Sequence, residues 1–139
     1  MIPKPFWVIA AFGLISMNVQ VDATQWHAKQ VLQFFRRVRL DKTKNPVYQS
    51  DVLRGIRTHL REPLVQKALC LPKGTKLSAD CLNRMVDKAR QNENRFYAKF
   101  TYACKRFAEY SASCLETARP LYYRSLAVLA NQTEKCWKA

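Results

Sequence analysis

SADCLNRMVDKARQNENRFYAKFTYACKRFAEY, residues 78–110, is the stretch whose reading decides the fold. Leu82, Met85, Val86, Ala89, Phe96, Phe100, Cys104 and Phe107 return at steps of three, four or seven and would share one face of a helix. Ser78 is a good cap, and Asp80 suits the positive start of the helix dipole. Roughly thirty residues at 1.5 Å each make a rod of about 45–50 Å, long enough to be the spine of a small domain.

Helical spacing continues on both sides of this spine. Toward the N-terminus, Val31, Phe34, Phe35 and Val38 form an apolar face on a helix expected over Gln25–Leu40. Asn45-Pro46 should break the chain. Ser50 and Asp51 then signal a second helix, with Val52, Leu53, Ile56 and Leu60 facing inward. Pro63 should interrupt it before a short helical piece over Leu64–Leu69. The loop Leu71–Leu77 contains Pro72 and Gly74. Toward the C-terminus, a break over Ser111–Pro120 precedes a last helix, with Pro120 in its first turn and its end at Asn131. Leu121, Tyr122, Leu126 and Leu129 are expected to pack inward. No strand-like alternation is evident. The sequence therefore predicts an all-α fold: a small, disulfide-braced bundle of four to five helices with one long central helix.

Residues 1–23 read as a signal peptide. Lys4 precedes an apolar core from Phe6 to Ile15, and Ala23 is the small residue before a cut. Residues 24–139 then form one secreted domain. Cys70, Cys81, Cys104, Cys114 and Cys136 all lie in it, which in an oxidising compartment means two disulfides and one thiol over. Cys70 with Cys81 is the best local pair, and Cys114 with Cys136 would clamp the last helix. The odd thiol either pairs between chains or is buried and inert. Asn131-Gln132-Thr133 is a formal glycosylation acceptor.

Charge carries most of the functional signal. Lys and Arg number 24 against 10 Asp and Glu, a net charge of +14. Such an excess on an exported protein points to an anionic partner outside the cell. Lys29, Arg36, Arg37 and Arg39 on the first helix, with Arg54, Arg57 and Arg61 on the second, are expected to merge into one docking stripe. Arginine suits that role because its planar fork grips carboxylate, sulfate or phosphate at two points. The aromatic run after Asn94 supplies core residues, while Tyr97 and Tyr102 point elsewhere. With Tyr122 and Tyr123 they would complete an exposed patch for a partner or a homodimer.

Enzymatic chemistry is not expected. His27 and His59 are both early, the carboxylates are scattered among basic residues, and no phosphate-binding glycine loop, zinc motif or calcium loop occurs. No metal or cofactor is called for. Export argues against nucleic acid as the partner of the basic and aromatic residues.

Three stretches carry a family likeness: Trp26-His27; Ile56-Arg57-Thr58-His59-Leu60-Arg61 with Val65-Gln66-Lys67-Ala68-Leu69; and Asn94-Arg95-Phe96-Tyr97 through Tyr102-Ala103. In these the chain resembles the gastropod sperm lysins and their acrosomal relatives. The resemblance implies an acrosomal protein that docks through basic tracks on an anionic extracellular glycoprotein, the egg vitelline envelope, and loosens it by stoichiometric binding without bond cleavage. It makes Arg54, Arg57 and Arg61 the basic track, and a relative's action on membranes adds an anionic membrane surface as a partner. Two alternatives share the same features: a short-chain helical cytokine, and a cationic membrane-active fusogenic or defence protein.

Overall fold

A computed structural model describes residues 25–38, 45–104 and 112–139. The signal-peptide reading, Arg39, and the extension of the long helix through Phe107 and Tyr110 lie outside these residues. Helix α1 spans 25–35 and ends in a tight turn at Arg36 and Arg37, sooner than the expected Leu40. Helix α2 is Pro46–Gly55. A π-helical segment, Ile56–Arg61, joins it to α3, Glu62–Leu69. Helix α4 is Ala79–Cys104, a 3-10 turn covers Ala112–Leu115, and α5 is Ala118–Cys136. The all-α, disulfide-braced bundle with one long helix is thus the fold observed.

Two proline expectations need correction. Asn45-Pro46 starts a helix: the Asn45 side chain accepts from the Tyr48 N–H, and Pro46 fills a first-turn position where no donor is needed. Ser50 and Asp51 therefore lie inside α2. Pro63 does not interrupt the helix either. The wider π turn before it lets the Glu62 N–H bond to the Arg57 carbonyl, five residues back, and the ladder resumes around the proline.

The α4 face is as expected. Leu82, Met85, Val86, Ala89, Phe96, Phe100 and Cys104 are all buried. Tyr48 of α2 lies against Phe96 and Phe100 at 5.4 and 4.8 Å between centroids, and Phe96 stacks on Tyr122 of α5 at 4.4 Å. Stacks of this kind add about 0.5–1.5 kcal/mol beyond the area they bury. Gly55 sets how closely α2 meets α5: a Cβ there would stand 2.7 Å from the Tyr123 ring. Leu53 and Leu121, expected inside, are 56% and 48% exposed.

Helix α5 continues past Asn131 to Cys136 because the last three residues of the chain are anchored. Trp137 is buried, the Ser78 N–H donates to its carbonyl at 2.7 Å, and the Ala139 N–H donates to the Lys76 carbonyl. The loop that leads into α4 turns at Pro72–Thr75, where Gly74 at φ +87° takes the left-handed conformation that such a turn requires.

The disulfides correct the expected pairing. Cys81 joins Cys136, tying the start of α4 to the end of α5, and Cys104 joins Cys114. Cys70 is the free thiol and is exposed, so it is not a buried, inert residue. Nearness in sequence favoured Cys70 with Cys81. Helical geometry defeats that pair: Cys81 points into the core beside the Thr133 carbonyl, and Cys70 points to solvent.

Candidate binding surfaces

Buried polar groups fix the middle of the bundle. Asp51 of α2, only 8% exposed, accepts from Arg119 Nε of α5 at 2.9 Å, and the Tyr123 hydroxyl donates to the Asp51 carbonyl. Removing one partner of such a pair strands a buried charge, at about 3 kcal/mol. Glu93 of α4 is 1% exposed, and the Tyr48 hydroxyl donates to its Oε2 at 2.8 Å. Burial, and then this bond to Glu93, hold Tyr48 far above the ordinary tyrosine range. Burial and the nearby Glu93 charge do the same to Tyr122. Tyr123 is raised by burial and Asp51, with Arg54 and Arg119 opposing.

Of the expected basic stripe, Arg39 lies outside the described residues and the remaining cations take several settings. Lys29 is exposed on α1, and Arg36 is exposed in the turn that follows it. Arg37 is engaged within the molecule: its guanidinium lies 4.6 Å over the Phe34 ring and donates to the Asn83 side chain, and its carbonyl accepts from Arg90. Arg54 is exposed on α2, and its charge opposes the rise of Tyr123. Arg57 and Arg61 line a cleft of about 310 Å³ with Phe35, Val38, Leu53 and Ile56.

The expected tyrosine patch does not form. Tyr122 is buried, and Tyr97 and Tyr123 pack against the core. Tyr102 stands apart at 77% exposure. Of the two histidines, His27 is buried with Nε2 2.7 Å from the Thr75 carbonyl, and the His59 ring lies on Tyr123. Asn131 is exposed on α5 while Thr133 is buried.

A second cationic face was not anticipated. Three adjoining hollows of about 340, 480 and 400 Å³ run along the seam of α4 and α5, and Leu121 lines all three. Leu121, Val128 and Tyr102 supply exposed apolar surface there, and Lys88, Arg95, Lys99 and Arg124 line the hollows with them. A sequence signal for it existed. Lys88, Arg95 and Lys99 are seven and four residues apart, a single stripe on the spine beside its apolar face.

The aegyptin C-terminal domain matches residues 21–137 of the chain. The chain belongs to this family. Among the relatives of this aegyptin C-terminal protein, the gSG7 salivary protein of Anopheles freeborni is 42% identical over 110 residues, 79% of this chain and 92% of the relative. The gSG7 salivary protein of Anopheles stephensi is 38% identical over 130 residues, 92% of each chain. Of solved structures, a mosquito complement inhibitor from Anopheles freeborni superposes with a TM-score of 0.76 at 40% identity, over 83% of this chain and 97% of that one. An anophensin from Anopheles stephensi gives 0.63 at 40% identity, over 81% and 96%.

Membership in a family of salivary proteins makes the chain a secreted protein and overturns the sperm-lysin resemblance. The egg coat, the acrosomal vesicle and a role in fertilization go with it, and the cytokine alternative has no counterpart among these relatives. The misleading motifs are short, and those over Ile56–Leu69 and Asn94–Ala103 lie in helices. There, amphipathic spacing and a high arginine content reproduce the same few residue types in unrelated bundles.

Proposed function

We propose that this chain is a salivary inhibitor of host complement that acts by stoichiometric binding, without covalent chemistry. The observation that carries the reading is the likeness to the mosquito complement inhibitor, at 40% identity over 97% of that structure. Inhibition by occupancy needs a rigid surface that a host protein can recognise. The bundle offers two cationic ones, the α1–α2 cleft and the α4–α5 seam. A charge of +14 steers acidic partners toward them and speeds encounter at low salt.

The test is complement-dependent lysis of erythrocytes in serum with increasing amounts of the purified secreted protein. Lysis should fall with dose and level off near one inhibitor per target, with no further change on longer incubation. Undiminished lysis at a tenfold molar excess over every complement component would overturn the proposal.

A further inference from the structure

We infer that the α4–α5 seam is the docking groove of this protein, and that its occupant is an acidic, amphipathic segment of the protein it inhibits. The inference rests on the binding-inhibitor reading and names the surface and the partner chemistry. Its first support is shape. The three hollows share walls, with Leu121 common to all, Arg95 shared by two and Lys99 by two. From Lys88 to Tyr102 the α4 wall extends about 21 Å at 1.5 Å per residue, room for roughly four turns of a helix.

The second support is composition. Leu121 and Val128 are each 48% exposed and Tyr102 is 77% exposed, so the seam keeps apolar surface in water that the core leaves unused. Segments that lie in such grooves present apolar side chains at three- and four-residue steps. The third is charge. Lys88, Arg95, Lys99 and Arg124 line the seam, and no Asp or Glu is among the described residues lining the three hollows. The nearby Glu93 carboxylate is buried and engaged by Tyr48. A ligand with carboxylates flanking its apolar stripe would be matched along its whole length. A second copy of this chain would bring the same cations against these four, and like charges across an interface are disfavoured.

The occupancy test compares three forms of the secreted protein for binding to purified complement components: wild type, a groove form with Arg95→Glu and Lys99→Glu, and a cleft form with Arg57→Glu and Arg61→Glu. Leu121→Ser serves as a charge-neutral groove variant. All substituted groove side chains are exposed, so circular dichroism should be unchanged. The groove form should bind at least thirtyfold more weakly, Leu121→Ser about tenfold more weakly, and the cleft form within threefold of wild type. If the groove forms bind and inhibit as well as wild type, the inference fails and the proposed function stands.

If wild type binds no complement component, the proposed function fails, and the groove is judged by a second measurement. Amide resonances are followed on titration with a 15-residue Glu/Leu amphipathic peptide and, separately, with vesicles containing phosphatidylserine. Shifts confined to residues such as Arg95, Lys99, Leu121, Ser125 and Val128 with the peptide support the inference. Shifts on another face, none at all, or a groove response to vesicles alone overturn it.

Discussion

Arg57 and Arg61 on the π-helical segment carry the same charges as Arg95 and Lys99 on α4, and both pairs border apolar hollows. What stands behind them differs. The α4–α5 seam has the Phe96–Tyr122 stack beneath it, the Cys81–Cys136 bond across one end and the Cys104–Cys114 bond toward the other. The cleft has on one side α1, which buries Ala28, Val31 and Phe35 in the core, is tied by polar bonds at His27 and at Arg37 just past its end, and carries no cysteine. Similar charge on differently braced supports means that the proposed docking depends on rigidity as well as on charge. A docking surface also needs walls of fixed width, because ordering loose walls on binding weakens affinity.

The strongest way to break the contrast is to remove the bond that pins the seam. Cys81→Ser with Cys136→Ser opens a loop of 55 residues and should cost about 4 kcal/mol of stability by chain entropy, read by thermal or denaturant unfolding. A loss under about 1 kcal/mol would mean that Trp137 and the C-terminal backbone bonds hold α5 on their own.

A smaller effect is expected from the contact that brings α2 onto α5. Gly55→Ala drives a methyl against the Tyr123 ring, which must move together with its hydrogen bond to the Asp51 carbonyl. The expected cost is about 2 kcal/mol, since overpacking outweighs the helix propensity gained. An equal or higher melting temperature would show that the ring shifts freely and that the back wall of the seam is soft.

The least effect at neutral pH comes from the tyrosines under the seam. Tyr48 and Tyr122 have folded-state values raised above the ordinary 10, so the folded state keeps protons that the unfolded chain loses. Their stabilisation is therefore complete below pH 10 and is lost as pH climbs from there toward the folded values. Melting temperatures should fall between pH 10 and 11 by the equivalent of about 1 kcal/mol per tyrosine. Tyr122→Phe should be neutral or slightly stabilising at pH 7, because that hydroxyl is buried with no partner among the described residues. The same variant should flatten the alkaline fall. A variant that melts several degrees lower at pH 7 would place a bond on that hydroxyl.

Much of the fold was legible because helical periodicity is local. The apolar face of α4 from Leu82 to Cys104 comes from spacing alone, and each of its expected members that the structure describes is buried. The proline readings failed at Asn45-Pro46 and Pro63 for one reason: whether a proline starts, stops or passes within a helix depends on which carbonyls find donors, and a π turn alters that count. The candidate surfaces were only partly legible, because the surplus of charge is a property of composition and its placement is not. Charge led to the expectation of an anionic partner and of a stripe from Lys29 to Arg61, while Lys88, Arg95, Lys99 and Arg124 along the seam were passed over. Sequence spacing shows which residues share one helix face but not which helix lies beside it.

The sequence by itself determined the class of the molecule: its helices, its oxidising compartment, its surplus of positive charge and the apolar stripe along its spine. These come from composition and from a period of 3.6, which neighbouring residues encode. Only the tertiary structure decided that Cys81 meets Cys136, that Asp51 meets Arg119 across 68 residues, and that Leu121 is left in water beside Lys99 and Arg95. Those are relations between distant segments, set when helices pack at a given angle and depth, and no local pattern records them.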